Sequence, residues 1–244
     1  MTLVAETAAA LVIGNELLSG KTQESNLIEL ARLLRPIGVR LVRAVIVPDD
    51  TELIASEVRA LSRDTGVVFT SGGVGPTHDD VTIEAVARAF GVDVVLDPYL
   101  ERLVRERYAE RVTEAHLRMA LVPRGAELVG VSDAKWPATL IRNVFVLPGV
   151  PEIFRMKLDA VRAHLRGTQP FASRAAFVAI EEAELKPLLD AIVAAHPGVE
   201  VGSYPKWLEP SYKTKITFDA QDANAVEAAL LDFTSRVGKV VRVE

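Results

Sequence analysis

Short apolar runs that end at a glycine or proline alternate, along most of this chain, with stretches whose apolar residues recur at helical spacing. That alternation limits the fold more than any other feature. Ala9-Ala10-Leu11-Val12-Ile13 ends at Gly14 and has the unbroken apolarity of a strand buried on both faces. Leu27, Leu30, Ala31 and Leu34 then mark one face of a helix that Pro36 and Gly38 stop. Residues 39–47 are β-branched and strand-like. Ile54, Val58 and Leu61 give the next helix, with Asp50 or Thr51 placed to cap it. Residues 66–70 form another buried strand, Ile83, Val86, Ala87 and Phe90 a helical stripe ending at Gly91, and residues 92–96 a strand. Residues 143–147 resume the strand pattern. Pro148-Gly149-Val150-Pro151 opens a helix with Phe154, Leu158, Val161 and Leu165 on one face and Pro151 in its first turn. Strands joined by helices of this length need crossover connections. A mostly parallel sheet with helices on both faces is therefore expected, an α/β fold.

Two segments break the rhythm. Residues 98–142 are less regular, with helices expected around 100–108 and 114–121 and a loop containing Lys135-Trp136-Pro137. Gly167-Thr168-Gln169-Pro170 reads as a boundary, which divides the chain into domains 1–168 and 169–244. In the second domain the order is strand (175–180), helix (183–195), strand (199–204), strand (213–218), helix (223–237) and strand (239–243). That is βαββαβ, the ferredoxin-like α+β plan.

With 49% hydrophobic residues in 244, such a chain can bury a substantial core. A net charge of −5 argues against nucleic acid as a partner. The absence of cysteine removes disulfides, thiolate metal sites and cysteine nucleophiles, and suits a reducing cytoplasm. No stretch has the ~20 apolar residues of a membrane helix, and the start lacks the pattern of a signal peptide. A cytoplasmic protein away from membranes is expected.

In an open parallel sheet the ligand crevice lies beyond the carboxyl ends of the strands. Four glycine- or acid-bearing loops fall there: Gly14-Asn15-Glu16, Pro48-Asp49-Asp50, Ser71-Gly72-Gly73-Val74-Gly75-Pro76-Thr77-His78-Asp79-Asp80 and Pro148-Gly149. The third carries the sharpest signal. Its glycines let the backbone approach a ligand and aim consecutive N–H groups at it, and the following helix adds a positive end suited to phosphate. The bland alternative is a turn that needs positive φ angles, with Asp79 or Asp80 as a helix cap. Glu16, Asp49, Asp79 and Asp80 are oxygen donors suited to magnesium, or else solvated loop acids. His78 reads as a polar loop residue at the crevice. Lys206, Lys213 and Lys215 read as solvated lysines of the second domain. Trp136 and Trp207 are ring-stacking candidates whose default is core packing.

These residues carry a resemblance. Ile13-Gly14-Asn15-Glu16-Leu17-Leu18-Ser19-Gly20-Lys21-Thr22-Gln23-Glu24-Ser25-Asn26, then Thr70-Ser71-Gly72-Gly73-Val74-Gly75-Pro76-Thr77-His78-Asp79-Asp80-Val81-Thr82 and Leu147-Pro148-Gly149-Val150-Pro151, are similar to the molybdopterin-binding superfamily. Within it they most resemble the amino-terminal domain of CinA-type competence/damage-inducible proteins. The tail, with Val201-Gly202-Ser203-Tyr204-Pro205 and Tyr212-Lys213, resembles the molybdopterin-binding-like region of FAD synthases. The resemblance implies a three-layer α/β domain in a homo-oligomer, a dimer or trimer, that binds molybdopterin or another small phosphorylated pterin or nucleotide. It also implies metal-dependent hydrolysis of a nucleotide pyrophosphate of the ADP-ribose or FAD type, with magnesium, manganese, cobalt or nickel. The alternatives are a molybdopterin-binding protein of molybdenum cofactor biosynthesis and a scaffold that kept the fold without catalysis. The implied ligand-contacting residues are Gly14, Asn15, Ser71, Gly72, Gly73, Val74, Gly75, Thr77, Pro148 and Gly149. Glu16 and Asp80 take the catalytic role, and Glu16, Asp49 and Asp80 the metal. Two positions depart from the motif: Asn15 stands where an aspartate is expected, and so does Glu24. On this reading Asn15→Asp should tighten metal binding.

Overall fold

A computed structural model describes residues 2–130, 136–208 and 211–244, and these form two compact units, Met1–Thr168 and Gln169–Glu244. Along the first unit run β1 (Leu3–Val4), β2 (Thr7–Ile13), α1 (Asn15–Leu18), α2 (Asn26–Leu34), β3 (Arg40–Val47), α3 (Thr51–Asp64), β4 (Val67–Ser71) and α4 (Thr82–Phe90). There follow β5 (Val94–Leu96), α5 (Pro98–Tyr108), α6 (Glu114–Arg118), β6 (Leu121–Pro123), β7 (Glu127–Val129), β8 (Ala138–Ile141), β9 (Val144–Leu147), α7 (Pro151–His164) and β10 (Leu165–Arg166).

Six of these strands make one sheet in the order β3-β2-β4-β9-β8-β7. The pairs β2–β3, β2–β4 and β4–β9 are parallel, and β8 and β7 add antiparallel. The sheet is a three-layer sandwich for a simple reason: successive strand residues face opposite ways. Ala8, Ala10, Phe69 and Phe145 pack under α2 and α7 with Leu30, Leu34, Phe154 and Val161. Ala9, Leu11, Val68 and Val144 face the other way, against Ile54, Val58 and Leu61 of α3 and Ala85 and Val86 of α4. Asp50 caps α3 by accepting the Leu53 N–H at 2.8 Å, and Gly91, at φ 65, lets the chain leave α4.

Three local expectations need correction. Val94–Leu96 does not join the main sheet; it pairs antiparallel with β6, and together with α5 and α6 it covers a small satellite core around Leu100, Val104 and Val122. The irregular stretch also hides a hairpin, β7 to β8, which finishes the main sheet. Leu121 lies in β6 and Leu165 in β10, so the helices expected to hold them end earlier. Lys135 falls outside the described residues.

The second unit contains β11 (Ala172–Val178), α8 (Glu182–Ala195), β12 (Glu200–Pro205), β13 (Thr214–Ala220), α9 (Ala223–Val237) and β14 (Val240–Val243). Its sheet order is β12-β13-β11-β14 with every neighbouring pair antiparallel, which is the split-βαβ arrangement. Ile216 and Phe218 of β13 pack with Ile192 of α8 and Phe233 of α9 in a core of their own. Among the described residues no helix is long and apolar enough to cross a membrane.

Phe69 and Phe145 lie in register on neighbouring central strands and stack at 5.3 Å between ring centroids, both buried. Phe145→Ala is expected to destabilise the first unit by about 3–5 kcal/mol, since neither neighbouring strand can close the cavity. Urea unfolding measures it, and a loss under about 1 kcal/mol would contradict this packing account.

Candidate functional site

In the strand order β3-β2-β4-β9 the chain leaves β2 toward β3 and leaves β4 toward the β9 side, so these two connections run to opposite sides. Ligands of open α/β sheets collect at such a switch point. Here a cleft of about 1240 Å³ opens at the carboxyl ends of the strands, lined by Gly14 after β2, Asp49 after β3, the residue 72–77 loop after β4 and Pro148-Gly149 after β9.

Two glycines shape its floor. Gly72 has φ 111, and a Cβ there would run into the carbonyl oxygen of Ile13. Its N–H donates to the Leu147 carbonyl at 3.1 Å, which ties β4 to β9. Gly73 has φ 66, and a Cβ would strike the Thr82 hydroxyl. That hydroxyl donates to the Gly72 carbonyl at 2.8 Å, and the Thr82 N–H donates to the Gly73 carbonyl at 2.9 Å. Both loop carbonyls are thus turned toward the start of α4. The N–H groups of Gly73, Val74 and Gly75 make no hydrogen bond among the described residues. These three consecutive residues all line the cleft.

Of the residues expected to act here, Gly14, Glu16, Asp49, Gly72, Gly73, Val74, Gly75, Thr77, Asp80, Pro148 and Gly149 line the cleft. Asn15 and Ser71 do not. The Ser71 hydroxyl is buried and accepts from Asn26 Nδ2 at 2.9 Å; the same amide donates to the Gly149 carbonyl at 2.8 Å. Ser71 is therefore an anchor under the loop. Asn15 is exposed, and its backbone N–H donates to Asp49 Oδ2 at 2.9 Å.

The acids have local work. Asp80 does not cap α4, whose first turn is preceded by Val81 without a side-chain cap. It folds back to accept the Thr77 N–H at 2.8 Å and the Thr77 hydroxyl. Glu24 accepts the Leu27 N–H at 2.6 Å and closes the first turn of α2. Among the described residues no three His, Asp or Glu side chains gather closely enough to hold a metal ion. Glu16, Asp49 and Asp80 line the same cleft but are not gathered into such a cluster. His78 is solvent-exposed, Lys213 pairs with Glu181 at 2.8 Å, and Trp207 is exposed. Trp136 does line the cleft.

Several lining residues gave no motif. Leu100, Leu103 and Tyr108 of α5 and Met119 add an apolar wall to the cleft. Arg118 donates from Nη2 to the Asp80 carbonyl at 3.1 Å and reaches Glu84 at 3.4 Å, while its Nε is buried without a partner. Lys157 is buried on α7 and its ammonium donates to the carbonyls of Trp136 and Pro137. Burial pushes its pKa down from 10.5 to about 7. The spacing had a clue, since Lys157 falls within the stripe of Phe154, Leu158 and Val161.

Asn26 holds two rims together through one amide, so Asn26→Leu leaves the Ser71 hydroxyl and the Gly149 carbonyl without that donor. A stability loss of about 1–3 kcal/mol is expected in urea unfolding. A change within 0.5 kcal/mol, roughly the scatter of ordinary surface substitutions, would show that the bridge does not hold the rim.

Residues 9–166 match the model of the probable molybdopterin-binding domain, and residues 170–244 that of the FAD synthase middle domain. A curated protein of Archaeoglobus fulgidus is 32% identical over 225 residues, 91% of this chain and 93% of its own length. A probable FAD synthase of Caenorhabditis elegans is 29% identical over 92% of this chain, which spans only 49% of that relative. The solved structure of CinA, of unknown function, from Thermoplasma acidophilum superposes with a TM-score of 0.60 at 29% identity, over 65% of this chain and 97% of that one. Fold, loop and sequence agree: this chain belongs to the family of probable molybdopterin-binding domains, here followed by a FAD synthase middle domain.

Proposed function

We propose that the first unit binds a phosphorylated pterin or nucleotide, with a phosphate on the free N–H groups of Gly73, Val74 and Gly75 and the ring against the apolar wall of α5 and Met119. The observation that carries this reading is three successive N–H donors that make no hydrogen bond among the described residues, on residues lining a cleft at the switch point of the sheet. The cleft's mixed character supports it. Such sites combine an apolar lining with a few convergent polar groups, and a phosphorylated ring compound has both halves. The matched family and the probable FAD synthase relative point to ligands of this class.

Hydrolysis of a nucleotide pyrophosphate such as ADP-ribose or FAD is the second reading, favoured by the FAD synthase likeness of the whole chain. Binding is common to both readings, and it is the part that the glycine loop supports directly.

Calorimetric titration with ADP-ribose, AMP and FAD tests the proposal. Gly73→Val should weaken binding about a hundredfold, because loss of two charge-assisted hydrogen bonds at roughly 1.5 kcal/mol each corresponds to that factor. Far-UV circular dichroism checks that the variant remains folded. Undiminished affinity in a folded Gly73→Val would contradict the loop assignment. Turnover assayed alongside, with magnesium, manganese, cobalt or nickel, separates binding from hydrolysis.

A further inference from the structure

Lys157 is 6% exposed, yet it lines the cleft. It lies in α7, whose residues Ile153, Met156 and Lys157 face the cleft at helical spacing. Its ammonium donates to the Trp136 carbonyl at 2.5 Å and to the Pro137 carbonyl. Carbonyls orient an ammonium but bring no counter-charge. Among the described residues no carboxylate pairs with it, and burial lowers its pKa. Among the elements packed against α7, β8 and β9 carry no charged residue, and β7 carries Glu127, which is exposed. β10 carries Arg166, and α2 carries Glu29 and Arg32, paired with each other at 3.5 Å. On α7 itself Glu152, Arg155, Asp159 and Arg162 are exposed, and His164, in the last turn, is half-buried with its ring against the Ala160 carbonyl.

A buried cation without a counter-charge is costly unless something anionic arrives to pair with it. An ammonium has three N–H donors, and two are taken. Lys157 lies six positions after Pro151, at the start of α7, an axial rise of roughly 9 Å. The start of α7 follows Gly149, which sits against Gly72. Lys157 therefore stands away from the glycine loop, at the Trp136 wall.

We propose that Lys157 is a direct ligand contact and a specificity-determining residue of this cleft, giving its third N–H to an anionic oxygen at the Trp136–Pro137 wall, apart from the phosphate on the glycine loop. The inference rests on the binding function proposed above. It carries a proton linkage. Near neutral pH part of the Lys157 population is uncharged, an anionic ligand favours the ammonium, and the complex must take up protons. Affinity falls as pH rises through about 7, where free Lys157 titrates.

Calorimetry with ADP-ribose as the probe, at pH 6.5 and 8.5 and in buffers of different ionisation enthalpy, tests this. Wild type should bind more tightly at pH 6.5 and take up part of a proton at pH 7.5. Lys157→Met should bind about tenfold or more weakly at pH 6.5, from loss of one charge-assisted hydrogen bond, and lose the proton uptake. A residue that only braced the Trp136–Pro137 segment would weaken binding without moving the proton count. Equal affinity and equal proton uptake in wild type and Lys157→Met, with Gly73→Val still weakening binding about a hundredfold, would overturn the Lys157 assignment and leave the phosphate loop standing. No binding of ADP-ribose, AMP or FAD to wild type would overturn both.

Discussion

The site depends on backbone packed directly against backbone at Gly72. The Ile13 carbonyl occupies the space a side chain would need, and a Cβ on Gly149 would lie 3.2 Å from the Gly72 Cα. The ends of β2, β4 and β9 can converge only because residue 72 has no side chain. That convergence sets the direction in which the next residues leave the sheet. Gly72 and Gly73 turn their carbonyls to Thr82, and the N–H groups of residues 73–75 are left for the cleft. Asn26 fixes the same junction from below, through Ser71 and Gly149.

What the sequence discloses and what it hides separate along physical lines. Strand β2 and helix α9 are legible because their signals are local: an unbroken apolar run and a capped amphipathic stretch. The rim is legible as well, since glycines and acids placed after buried strands must lie at the carboxyl edge. The hidden parts depend on partners far apart in the chain. Ser71 looks like a ligand contact until Asn26, remote in sequence, claims its hydroxyl. Val94–Leu96 has the composition of a core strand, yet its pairing with Leu121–Pro123 takes it out of the main sheet. The acids Glu16, Asp49 and Asp80 share a rim by topology, but side-chain direction decides a coordination cage. Asp49 and Asp80 turn to nearby N–H groups instead. Lys157 stands as a charge inside an apolar stripe; only the structure shows that it is buried and lines the cleft.

The two units divide these features cleanly. Every residue lining the cleft falls within Met1–Thr168, so the binding function is argued from one unit. The second unit closes its own core. On the other face of its sheet Arg242 stacks over Phe177 at 4.0 Å, and Tyr212 meets the same ring edge-on at 4.9 Å. Those contacts cover an aromatic ring that would otherwise face water on a sheet with helices on only one side.

The central claim, that an anion is held by the backbone of residues 73–75, is tested most directly by following amide resonances in two-dimensional nitrogen–proton NMR during titration with ADP-ribose. The account predicts that the Gly73, Val74 and Gly75 amides shift together and saturate with the binding isotherm, with Asn26 and Thr82 responding less. Saturable binding that leaves those three amides unmoved, with the shifts gathered elsewhere in the chain, would contradict it.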